Sequence, residues 1–87
     1  MPVTLSEHVL CAVEAWRATM PGEPTSADVV RLMMRFEVFA NERAVQRRIG
    51  RLRRCGFLGP GLHETVYKQW DGRGLRVTPL GRSVLDG

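Results

Sequence analysis

Apolar residues recur at helical spacing from the start of the chain. Leu5, Val9, Ala12, Val13, Trp16 and Met20 fall on one stripe with polar residues between them. Thr4-Leu5-Ser6-Glu7 opens that stripe as a capping box, in which the threonine hydroxyl takes a first-turn N–H and Glu7 returns to the cap amide. Pro21-Gly22-Glu23-Pro24 ends it in a loop. Trp16 is expected to anchor the core. A second group, Val29, Val30, Leu32 and Met33, follows a start at Thr25 or Ser26. Asp28 in its first turn suits the helix dipole, and this helix is expected to run to about Arg35. Phe36, Val38 and Phe39 come next without a clear period and are expected to plug the core between the second and third helices. The third stripe is narrow. Val45, Ile49 and Leu52 recur at four and three residues, in a helix capped by Asn41 or begun one residue earlier. Gly56 is placed as its left-handed C′ residue, with Phe57 and Leu52 set to make the apolar contact of a Schellman ending.

Beyond this point the period changes. Phe57-Leu58-Gly59-Pro60-Gly61 breaks the helix. Residues 66–70 are β-prone, Asp71-Gly72-Arg73-Gly74 is a strong turn, and Leu75-Arg76-Val77 alternates with period two. Together, 66–77 read as a β-hairpin. Thr78 at N-cap and Pro79 at N1 open a last short helix, which Leu80, Val84 and Leu85 are expected to fold back on the core. The pattern predicts an α+β fold: a three-helix core, a C-terminal hairpin and a short final helix, in one domain spanning residues 1–87.

Charge sharpens the picture at one place. Residues 41–55 contain Arg43, Arg47, Arg48, Arg51, Arg53 and Arg54 against the single acid Glu42, a local balance of +5. The whole chain of 87 residues carries +4. Basic character is therefore concentrated on the third helix, which suits a polyanionic partner. All basic residues but Lys68 are arginine, the side chain that contacts phosphate and guanine with two parallel bonds. A GC-rich genome produces the same arginine bias, so the weight rests on the clustering. Around the helix, Arg43, Arg47, Gly50 and Arg54 lie opposite the apolar seam with Arg51 at their edge, while Arg48 and Arg53 flank the seam. Gly50 costs about 1 kcal/mol in a helix interior. On the outward face it lets another backbone approach closely, or it is a neutral accident.

Composition narrows the function classes. No run approaches the roughly 18 apolar residues of a membrane span, and the N-terminus lacks the basic and apolar regions of a signal peptide, so a cytoplasmic protein is expected. Cys11 and Cys55 are too few for a disulfide framework and are expected as small buried or half-buried hydrophobes. His8, Cys11, Cys55 and His63 match no familiar zinc spacing, so no metal is expected. Glu7 and Glu14 read as a cap and a solvated face. Without a nucleophile–base arrangement, a phosphate loop or paired carboxylates, neither an enzyme nor a cofactor is expected, and no small-molecule ligand is indicated.

The order helix, helix, turn, basic helix, hairpin, short helix resembles the winged helix-turn-helix DNA-binding domain of bacterial, archaeal or phage transcriptional regulators. Two passages carry the resemblance. Arg47-Arg48-Ile49-Gly50-Arg51-Leu52-Arg53-Arg54-Cys55-Gly56-Phe57-Leu58 resembles the family's run of recognition helix, glycine and apolar strand. Leu75-Arg76-Val77-Thr78-Pro79-Leu80-Gly81-Arg82 resembles the passage after its wing. The resemblance implies double-stranded DNA as partner, helix 41–55 in the major groove and the 66–77 hairpin as wing. Arg43 and Arg47 would then touch base edges, assisted by Gln46 or Asn41. Arg51 and Arg54 would grip phosphates, and Arg73 would reach a neighbouring groove or the backbone. A homodimer through the first helix or the Leu80-Val84-Leu85 segment would read a palindrome. Two other uses of the fold stay open. One is a protein–protein module that docks its basic face on an acidic partner; the other is an architectural, excisionase-like factor that bends DNA.

Overall fold

A computed structural model describes residues 4–20, 22–35, 41–61 and 74–86. Their elements, in chain order, are α1 (Leu5–Thr19), α2 (Ser26–Arg35), α3 (Glu42–Arg54), β1 (Leu58–Pro60), β2 (Leu75–Val77) and α4 (Pro79–Asp86). Each helix begins where a short polar side chain satisfies open backbone donors. Thr4 Oγ1 accepts from the Glu7 N–H at 3.2 Å and donates to the Glu7 carboxylate at 3.2 Å. Thr25 and Asp28 form the same device at α2: the Asp28 N–H donates to Thr25 Oγ1 at 3.3 Å, and Asp28 Oδ2 accepts from both the N–H and the hydroxyl of Thr25 at 3.0 Å. Asp28 is buried by this reciprocity and also meets Arg31 at 3.8 Å. At α4 the Thr78 hydroxyl accepts from the Gly81 N–H at 3.2 Å and donates to the Gly56 carbonyl.

α1 is the hub, packing against α2, α3, α4 and β2. Val9, Leu10 and Val13 from α1, Val29, Val30 and Met33 from α2, and Val45, Ile49 and Leu52 from α3 form one core with Leu58, Leu75 and Val77. Leu10 is fully buried although it lies off the expected stripe, because α1 is covered on more than one side. The expected stripe also loses its end. Met20 leaves the helix in an extended conformation and is 41 % exposed. Trp16, expected as a core anchor, is only half-buried, and its indole N–H is enclosed without a hydrogen-bond partner among the described residues.

The sheet departs from expectation. β2 pairs antiparallel with β1, in the register Leu58↔Val77, Gly59↔Arg76 and Pro60↔Leu75. The segment at Leu58, Gly59 and Pro60, whose residues read as a helix break although the resemblance implies an apolar strand at Leu58, is a strand. Gly59 and Pro60 look like turn residues locally, yet Leu58 is buried in the core and Pro60 sits at the strand end, where its missing N–H costs little. On the opposite edge of β2, the Leu75 N–H donates to the Pro24 carbonyl at 2.8 Å. The expected strand 66–70, the turn residues 71–73 and the aromatic plug at Phe36, Val38 and Phe39 lie outside the described residues.

α4 returns to the core by a narrower contact than expected. Leu85 packs on the core, but Leu80 and Val84 are exposed. Gly81 is the buried residue of this helix, pressed against the Phe57 carbonyl and Val77. Glu14, expected on a solvated face, instead holds α4 to α1 through an ion pair with Arg82. Both cysteines are exposed rather than buried. Cys11 lies about 200° around α1 from Val9, and Cys55 follows the last turn of α3 as its C-cap. Among the described residues no helix is long and apolar enough to cross a membrane.

Candidate nucleic-acid interface

α3 is fixed at both ends by its own sequence. Asn41, in extended conformation, accepts the Ala44 N–H on Oδ1 at 3.3 Å. At the other end Gly56 takes φ +84°. The Phe57 N–H then donates to the Leu52 carbonyl at 2.9 Å and the Gly56 N–H to the Arg53 carbonyl at 3.2 Å. This pair of bonds is the Schellman ending expected from Gly56. Arg51, Arg53 and Arg54 in the last turn face the negative end of the helix dipole.

The seam formed by Val45, Ile49 and Leu52 is buried against the core. Opposite it, Arg43, Gln46, Arg47, Arg51 and Arg54 are all exposed. Arg43, Gln46, Arg47, Gly50 and Arg54 line one shallow open concavity. A second lies beside it, between α3 and the start of α1, lined by Leu5, Ala44, Arg47, Arg48 and Arg51. Arg47 belongs to both and so stands at the centre of the basic surface. Within it, the Gln46 amide donates to the Glu42 carboxylate at 3.3 Å, which ties the only acid of the helix to a neutral group. Among the described residues none of Arg43, Arg47, Arg51, Arg53 and Arg54 pairs with a carboxylate. Their charge is left to act outward.

The expected site residues thus separate by location. Arg43, Gln46, Arg47 and Arg54 share one concavity, Arg51 borders the next, and Asn41 sits at the helix start with its Oδ1 committed to the cap. Arg73 lies outside the described residues, as does His63. Arg48 has a different role: it is half-buried and its guanidinium donates to Ser6 Oγ at 3.4 Å, bracing α3 on α1. Arg53, which flanks the apolar seam in the sequence, is exposed. The Ser6–Arg48 contact joins residues far apart in the chain, and no local pattern announces it.

No protein-family model matches this chain, and no curated protein or solved structure matches it either.

Proposed function

We propose that the chain is a winged helix-turn-helix domain that binds double-stranded DNA and acts as a small transcriptional regulator. One observation carries the reading: α3 turns a row of exposed arginines outward, free of carboxylate partners among the described residues, while its apolar seam is locked in the core. A helix of this kind can enter the major groove without disturbing the fold. In this reading Arg43 and Arg47, with Gln46, meet base edges, Asn41 assists from the helix start, and Arg51 and Arg54 meet phosphates. The 66–77 segment, which ends in β2, serves as the wing in this reading, with Arg73 as its DNA contact. Regulation follows from occupancy, by excluding polymerase from a site or recruiting it there.

Gel-shift selection from a randomised duplex pool, followed by sequencing of the bound fraction, tests this. A defined consensus is expected. A palindromic consensus would report two copies, for which the exposed Leu80 and Val84 of α4 offer a self-contact. Bound duplexes with no sequence in common would remove the regulator reading. On the selected site, Arg47→Ala should weaken binding about tenfold and relax preference at one base position. Equal losses on selected and random duplexes would reassign Arg47 to the DNA backbone.

A further inference from the structure

Gly50 lies on the exposed side of α3 at the centre of the arginine row, with Arg47 one turn before it and Arg54 one turn after. Glycine is a poor choice for a helix interior. Other glycines here are required by the fold itself. Gly56 adopts a left-handed conformation, and a Cβ on Gly81 would run into the Phe57 carbonyl. Gly50 has no such reason, because a Cβ added to it would meet nothing within 4 Å. The missing side chain leaves a notch in the face, rimmed by Arg43, Gln46, Arg47 and Arg54.

We infer that this notch is the seat of one DNA backbone phosphate, which approaches the bare helix at Gly50 beside the guanidinium group of Arg54, while Arg47, one turn earlier, stays on the base edges. The inference rests on the DNA-binding reading and adds a register to it. Bases are met by the N-terminal half of α3, and a phosphate strand crosses at Gly50. The chemistry favours phosphate as the occupant. Arg54 is a planar cation able to give two parallel bonds to phosphate oxygens. A tetrahedral anion set beside it over Gly50 requires the helix surface below it to be low.

Substitution at Gly50 separates a seat from an accident. Gly50→Ala should raise the melting temperature by about 4–8 °C, since it removes a helix-interior glycine from a site with free space. The same variant should bind duplex DNA about tenfold more weakly, the scale of one displaced charge-assisted hydrogen bond. The loss should be equal on selected and random duplexes. Gly50→Lys is the second arm. A seat filled by a side chain should bind more weakly despite the added charge, whereas a plain basic face should bind more tightly. Unchanged or tighter binding by either variant would overturn the inference, and so would a loss confined to one base position. Failure of the wild-type chain to bind any duplex would instead overturn the DNA-binding reading beneath it.

Discussion

Leu10→Ala should destabilise the fold by about 2–5 kcal/mol. Leu10 is fully buried on α1, the helix that α2, α3, α4 and β2 all pack against. Truncation removes the transfer free energy of three carbons and leaves a void that four neighbouring elements cannot all close. A loss of this size is a large fraction of the stability of a small domain. Denaturant unfolding of the variant should show a lower midpoint with an unchanged slope. A cost below about 1 kcal/mol would mean that α1 is not the hub of the core.

Gly81→Ala should cost about 3 kcal/mol, at the upper end of what overpacking exacts. The new methyl would stand 2.2 Å from the Phe57 carbonyl oxygen and 2.9 Å from Val77 Cγ1. The carbonyl cannot simply move aside, because it accepts the Thr78 N–H at 3.1 Å where β1 meets β2. Relief requires either that bond to stretch or α4 to lift from the sheet. Lifting would also strain the Arg82–Glu14 ion pair that ties α4 to α1. Thermal melting should therefore show a clear drop for Gly81→Ala and a rise for Gly50→Ala, although both put the same methyl in a helix. Equal shifts would contradict the packing assigned to α4.

That opposition marks what is legible in a sequence. Helix ends were readable because their causes are local. Thr4 with Glu7, Asn41 with Ala44, and Gly56 with Arg53 each act within a few residues. The basic face of α3 was readable for the same reason, as 100° steps place Arg43, Arg47, Gly50 and Arg54 on one side. The sheet was legible only in part. Leu75-Arg76-Val77 reads as a strand by its alternation, but its pairing with β1 does not, because Gly59 and Pro60 carry turn chemistry whatever their partner. The burial of Leu10, the Glu14–Arg82 pair and the Ser6–Arg48 bond depend on which elements meet in space. The two cysteines show the limit of residue type alone: their usual preference for the interior yielded to position on α1 and at the α3 cap.

The ionic-strength dependence of binding to a short duplex tests the central claim most directly. With about two phosphates neutralised by Arg51 and Arg54, the logarithm of the association constant should fall with the logarithm of salt at a slope near −1.8, or about tenfold between 50 and 200 mM. Arg54→Ala should flatten that slope by about one unit and weaken all sequences alike. A chain whose duplex affinity does not change over that salt range, or that binds an acidic protein but no duplex, would contradict the account.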